Sequence, residues 1–208
     1  MRGAALSTPS WAHVSSVNLS EQGWLSASPN VHIAPSPNFN ARPSEEISLL
    51  VLHNISLPPN CFEGDAVVQF FQNQLDFDAH PWFENIRDVT VSAHFFIRRN
   101  GFIVQLVSTL NRAWHAGVSE HQGRSGCNDF SIGIELEGND TQAFSDPQYQ
   151  ALLALCQALY QRHPSLNAVR GHEHIAPSRK TDPGPYFDWA HLVQNGPWGV
   201  ESYPDFRV

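Results

Sequence analysis

The run Ser48-Leu49-Leu50-Val51-Leu52-His53 constrains the fold more than any other stretch of this chain. Its apolar residues do not alternate with polar ones, so it reads as a buried strand that delivers its last side chain, His53, to the rim of a sheet. A second stretch, Gly171-His172-Glu173-His174-Ile175-Ala176-Pro177 and on to Pro185, places imidazoles, a lysine and a carboxylate in a loop stiffened by proline. Two neutral imidazoles and one carboxylate around a metal, with a fourth position left to water, is the ligand count of a catalytic zinc site rather than a structural one. Hydrolysis is the chemistry that such a set implies. The His-Glu-x-x-His helix of metalloproteases is absent, since His172 and His174 have the wrong spacing and Pro177 follows too soon for a helix.

Composition narrows the setting. A chain of 208 residues, 41% hydrophobic and 15% charged, is long enough for one sizeable core and gives no reason to expect a second. A formal charge of -8 without a Lys/Arg cluster argues against nucleic acid or an anionic membrane surface as partner. No obligate protein partner is implied, and no stretch approaches the roughly twenty apolar residues of a transmembrane helix. From Met1 to Leu19 the apolar residues are interrupted by Ser7, Thr8, Pro9, Ser10, His13, Ser15 and Ser16, leaving no hydrophobic region for secretion. Residues 1–20 therefore read as a disordered extension, and the expected location is the cytoplasm. Cys61, Cys127 and Cys156 are odd in number and scattered, which suits reduced thiols, each a small buried hydrophobe.

A coarse pass finds alternating strands and helices. Ser48 to His53 and Ser131 to Leu136 are strands, and Ala93 to Arg98 with Phe102 to Val107 reads as a hairpin turning at Asn100-Gly101. Asp65 to Leu75 carries an apolar helical face of Val67, Val68, Phe70, Phe71 and Leu75. Asp146-Pro147 is a helix start, a capping side chain followed by proline, and Tyr149, Leu152, Leu153, Cys156, Leu159 and Tyr160 form the stripe that follows. Phe187 to Val193 suggests a short last helix. The fold class is α/β, one domain with a central mixed sheet flanked by helices and functional loops gathered at one sheet edge. In Ser131-Ile132-Gly133-Ile134-Glu135-Leu136-Glu137 the period of two puts Glu135 and Glu137 on one face, so periodicity alone leaves both open as a catalytic carboxylate.

Five runs, taken in order, carry a resemblance: Val51-Leu52-His53-Asn54-Ile55-Ser56-Leu57-Pro58-Pro59, Val91-Ser92-Ala93-His94-Phe95-Phe96-Ile97-Arg98-Arg99-Asn100-Gly101, Arg112-Ala113-Trp114-His115-Ala116-Gly117-Val118-Ser119, Cys127 to Gly138, and His172 to Pro185. From about Gly23 to about Leu192 the chain resembles the AmpD family, the cytoplasmic 1,6-anhydro-N-acetylmuramyl-L-alanine amidases of bacterial cell-wall recycling. The resemblance implies the fold shared by phage-type amidases and peptidoglycan recognition proteins, with a zinc amidase domain over residues 21–195 and an irregular tail over 196–208. It implies Zn2+ held by His53, His172 and Asp182, with His174 in a surface or supporting role. Between the two carboxylates it chooses Glu135 for the proton, leaving Glu137 as a solvated strand-end carboxylate. It raises Lys180 to a stabiliser of the oxyanion, and it makes Asn54, Trp114 and His115 candidates for contact with a soluble muropeptide.

The chain also departs from the family's pattern. Thr90 and Gly126 stand where relatives tend to carry arginines suited to the carboxylates of the stem peptide, and Arg124 is placed to compensate. Two other functions are weighed against the recycling amidase. An envelope amidase acting on intact peptidoglycan would call for a signal peptide or a lipidation cysteine. A non-catalytic peptidoglycan-binding module would have lost zinc ligands, whereas His53, His172 and Asp182 are all present.

Overall fold

The computed structural model describes residues 17–205; the disordered extension expected over residues 1–20 falls outside the described residues up to position 16. From there on the chain joins the fold, because Val17 and Leu19 pack on the core and Leu19 bridges Leu25.

In chain order the strands are β1 (Val31–Ile33), β2 (Phe39–Ala41), β3 (Leu49–Ile55), β4 (Phe95–Ile97), β5 (Ile103–Gln105), β6 (Asn111–Ala113), β7 (Glu120–His121), β8 (Arg124–Ser125), β9 (Ser131–Glu137) and β10 (Ala168–Gly171). The helices are α1 (Ala66–Phe71), α2 (Asp146–Arg162), α3 (His172–Ile175) and α4 (Trp189–Asn195). Six strands form the central sheet in the order β1-β5-β4-β9-β3-β10. It is mixed: β5 runs antiparallel to β4, while β4, β9, β3 and β10 are mutually parallel. β4 and β5 are the expected hairpin, and Gly101 supplies its positive φ of 81°.

The unalternating apolar run in β3 follows from burial on both faces. Leu50 and Leu52 join Ile132, Ile134 and Leu136 of β9 in one cluster, which α2 covers with Leu152, Leu155, Cys156 and Leu159 and α4 with Leu192. Leu49 and Val51 point the other way, onto Ala116, Phe130 and Ile175. Farther along that second face α1 seats Val67, Val68, Phe70 and Phe71 against Phe96 and Val104.

Several local expectations are corrected. The cap of α2 is Ser145, one residue before Asp146: its Oγ accepts the Gln148 N–H and Gln148 Oε1 accepts the Ser145 N–H, a reciprocal capping box. Tyr160 lies outside the buried stripe, where Leu155 stands instead, and is 44% exposed. α1 stops at Phe71 rather than reaching Leu75, because Asn73 turns the backbone to a φ of 59°. α4 starts at Trp189, where Asp188 Oδ1 accepts the His191 N–H. Between Gly196 and Asp205 the chain forms one short helical turn, Val200–Ser202, and Trp198 and Tyr203 are buried on the core. Cys127 and Cys156 are buried, whereas Cys61 is exposed. Among the described residues no helix is long and apolar enough to cross a membrane.

Candidate active site

The site lies at the carboxyl ends of three adjacent parallel strands, where open sheets with helical crossovers gather their chemistry. Strand register explains its composition. His53 of β3 is paired with Glu135 of β9, so both side chains leave the same face of the sheet. On the other side of β3, Gly171 of β10 pairs with Leu52, which brings His172, the next residue, level with His53. Pro177 does not prevent helix here. His172 to Ile175 form a single turn, α3, that ends before the proline.

The three expected ligands converge. His53 Nδ1 lies 3.0 Å from His172 Nδ1 and 2.9 Å from Asp182 Oδ2, and His172 Nδ1 lies 3.1 Å from that same oxygen. Among the described residues this trio is the group of histidine, cysteine and acidic side chains close enough to hold a metal ion, its ligand atoms all within 4.8 Å of one another. Tautomers bear on what lies between them. His172 Nε2 is 3.0 Å from the Ala116 carbonyl, which can only accept, so the proton of a neutral ring sits on Nε2. Nδ1 then turns a lone pair toward a carboxylate oxygen, a contact that repels unless a cation or a proton lies between them.

Burial drives the His53 imidazole down to about 4, against the pull of Asp182. Burial also opposes ionisation of Asp182, but the two imidazoles more than reverse this and leave its carboxyl well below the usual range. A neutral His53 imidazole and an ionised Asp182 carboxylate are the states in which these two groups can hold a metal. His174 stays outside the trio: its Nδ1 accepts the Gly171 N–H at 2.9 Å and its ring meets Trp189 edge-on at 5.4 Å.

Glu135 is buried, and its Oε2 has no hydrogen-bond partner. Burial, followed by the nearby Asp182 charge, pushes its carboxyl well above the usual range, with Lys180 opposing. Glu137 is not the solvated carboxylate expected from the strand end. It is 4% exposed, and its Oε2 accepts the Arg99 backbone N–H at 2.9 Å, which ties β9 to the β4–β5 hairpin.

The loop that carries Lys180 and Asp182 is pinned by a residue that sequence reasoning missed. Asp140, just beyond β9, accepts from Asn54 Nδ2 at 2.7 Å through Oδ1 and from the Thr181 hydroxyl through Oδ2. Asn54 Nδ2 also reaches the Pro183 carbonyl at 3.1 Å. Gly184, with a φ of 86°, completes the fit, since a Cβ there would come within 2.6 Å of Asp140 Oδ1. Nothing in the local pattern Gly138-Asn139-Asp140-Thr141 marks this carboxylate, because its partners lie 41 and 86 positions away.

These groups line a cleft of about 670 Å³. Asn54, Trp114, His115, Glu135 and Lys180 all border it, and Trp82 and Ile86 give it an apolar wall. Trp114 is held by its Nε1–H bond to Asn40 Oδ1 at 2.8 Å. His115 is buried, and both of its ring nitrogens are engaged, Nδ1 by His53 at 2.9 Å and Nε2 by Ser131 Oγ at 3.1 Å. Thr90 and Gly126 are not among the lining residues, although Val89 and Val91 beside Thr90 are. Arg124 has other partners, pairing with Glu46 at 3.0 Å and stacking 3.9 Å over Phe130.

Comparison with known proteins agrees with this geometry. Residues 43–185 match the N-acetylmuramoyl-L-alanine amidase family. The chain is 55% identical over 176 residues to the 1,6-anhydro-N-acetylmuramyl-L-alanine amidase AmpD of Citrobacter freundii, covering 84% of this chain and 92% of that one. A crystal structure of a selenomethionine AmpD derivative superposes with a TM-score of 0.81 at 51% identity, over 86% of this chain and 99% of that one. The Escherichia coli amidase AmiD, solved with the substrate anhydro-N-acetylmuramic acid-L-Ala-D-gamma-Glu-L-Lys, gives 0.53 at 30% identity, over 88% and 67%. With the family match spanning most of the sheet and its site, the chain belongs to the N-acetylmuramoyl-L-alanine amidases, in their AmpD branch.

Proposed function

We propose that this amidase is zinc-dependent and hydrolyses the amide bond between the lactyl group of 1,6-anhydro-N-acetylmuramic acid and L-alanine in soluble muropeptides, as a cytoplasmic step of peptidoglycan recycling. The observation that carries the proposal is the convergence of His53 Nδ1, His172 Nδ1 and Asp182 Oδ2 beside the buried, unpartnered Oε2 of Glu135 in one cleft. Two imidazoles and a carboxylate fit zinc and leave a coordination position free. Zinc, when held there, supplies Lewis acidity to the attacking water and to the amide carbonyl.

The remaining chemistry falls to the chain. Glu135 takes the proton that water loses as its oxygen bonds to the carbonyl carbon, and returns it to the L-alanine nitrogen as the carbon–nitrogen bond breaks. Its desolvated carboxyl has the proton affinity this task needs. Lys180, whose charge acts on both His53 and Glu135, stabilises the oxyanion that develops on the carbonyl. Trp114 offers an aromatic face to the sugar or the stem, and the Asn54 side-chain oxygen accepts from the peptide.

Removal of metal by a chelator should abolish hydrolysis and zinc should restore it, whereas full activity in protein shown to be metal-free would sink the proposal. His172→Ala should lose metal binding and His174→Ala should keep it. Equal losses would mean that the wrong imidazole has been chosen.

A further inference from the structure

We propose that His115, although it borders the cleft, is a positioning residue that acts through His53, fixing that ring's plane and tautomer, and does not itself bind substrate. The proposal rests on the metal reading of His53 above. With Nδ1 of His53 turned to His172 and Asp182, the remaining ring proton sits on Nε2, 2.9 Å from His115 Nδ1, so His53 donates and His115 accepts. His115 then carries its own proton on Nε2 and donates it to Ser131 Oγ at 3.1 Å. The two rings meet nearly at right angles, 81°, with centroids 5.1 Å apart, which directs the His53 N–H along the His115 lone pair.

The structure fixes His115 as firmly as it fixes the ligand. One oxygen, Asn128 Oδ1, accepts the backbone N–H groups of both His115 and Ala116, at 3.0 and 2.8 Å. The ring lies against β9 where that strand has no side chain: a Cβ on Gly133 would come within 2.4 Å of His115 Cγ. Gly133 has no positive φ to account for it, so the glycine marks space reserved for this imidazole. Its backbone N–H is in turn held by His94 Nδ1 at 3.0 Å, with the His94 ring edge-on to His115. The other nitrogen of a metal-binding histidine usually meets a carboxylate, a carbonyl or water. Here a second imidazole takes that place, and since both its nitrogens are occupied it has none left for substrate.

The test compares His115→Ala, His115→Asn and Gly133→Ala with the full-length wild type. Zinc affinity is read by competition with a chromogenic chelator, and kcat and KM are measured at saturating zinc on an anhydromuropeptide. Removing the acceptor in His115→Ala should weaken zinc by about 10- to 100-fold and lower kcat while KM moves little. His115→Asn, whose side-chain oxygen can stand near the Nδ1 position, should recover most of both losses. Gly133→Ala keeps His115 but displaces its ring, so it should reproduce the zinc defect.

A raised KM with zinc affinity and kcat intact would overturn the proposal in favour of substrate contact, as would an Asn variant no better than Ala. Nitrogen-15 NMR of the zinc-loaded wild type gives a readout that does not depend on any variant folding. It should find His53 protonated at Nε2, and a proton on Nδ1 would overturn the assignment. Failure of the underlying metal reading is distinguishable, because the wild type itself would then bind no stoichiometric zinc.

Discussion

Asp140 offers the sharpest perturbation of the loop that presents Lys180 and Asp182. In Asp140→Ala the Asn54 amide and the Thr181 hydroxyl both lose their acceptor, and the loop keeps the bond from Asn54 to the Pro183 carbonyl. A hydrogen bond to a charged group contributes about 1.5 to 3 kcal/mol, and a neutral one about 0.5 to 1.5 kcal/mol. Asp140 is only partly buried and Thr181 is exposed, so water replaces much of what is lost and each bond falls below the charged range, to about 1 kcal/mol. Two bonds at about 1 kcal/mol each give about 2 kcal/mol, or about thirtyfold, in the fraction of molecules whose loop is aligned. That loss should appear in kcat/KM on an anhydromuropeptide and, because Asp182 rides on the same loop, in zinc affinity measured by chelator competition. Asp140→Asn keeps one acceptor and should lose about fivefold. Unchanged zinc affinity and kcat/KM in a folded Asp140→Ala protein would refute the argument that this carboxylate pins the loop.

Glu135→Gln and Lys180→Ala should each retain zinc while losing on the order of 10²-fold or more in turnover, and Glu137→Gln should act on thermal stability instead, because its carboxylate holds the Arg99 N–H. Turnover lost in Glu137→Gln but not in Glu135→Gln would reverse the assignment along β9. Buried His94 is held neutral, well below its ordinary 6.5, by burial and then by Arg42, and His163 is lowered by burial to about 4. Below about pH 6.5 the unfolded chain takes up protons that the native state refuses, so stability should fall as pH drops, His94 alone adding up to about 1.4 kcal/mol per pH unit. Urea titrations of metal-free protein between about pH 7 and 5 read this slope, and a flat profile would contradict it. Gly126→Arg should cost about 1 to 2 kcal/mol in urea titrations, because Gly126 has a φ of 74°. Thr90→Arg, at an exposed position between two cleft-lining valines, should cost little and sharpen discrimination among stem peptides in competition assays.

How much of this was legible beforehand depended on whether the deciding contact was local. The strand ending at His53 could be read because burial on both faces removes polar residues from Leu49 to Leu52. The period of two placed Glu135 and Glu137 on one face but left them equivalent. What separates them is the Arg99 N–H, delivered to Glu137 by a hairpin 38 residues away, while Glu135 faces the cleft. The ligand trio was implied by family resemblance and then brought together by register, through His53 opposite Glu135 and Gly171 opposite Leu52. Capping chemistry signalled the start of α2 but misplaced it by one residue, because Ser145 and Asp146 are both competent caps and only the reciprocal bond to Gln148 distinguishes them. Asp140 was invisible, and His115 was legible only as a candidate for substrate contact and not as a neighbour of His53, since each meets its partners only across the assembled sheet edge.

Mass spectrometry of the products from a defined anhydromuropeptide, incubated with zinc-loaded protein and in parallel with chelator-treated protein, tests the central claim most directly. The account predicts release of anhydromuramic acid together with a stem peptide that begins with L-alanine, in the zinc-loaded sample alone. Cleavage within the stem or between sugars, or the same products from protein shown to be metal-free, would contradict it.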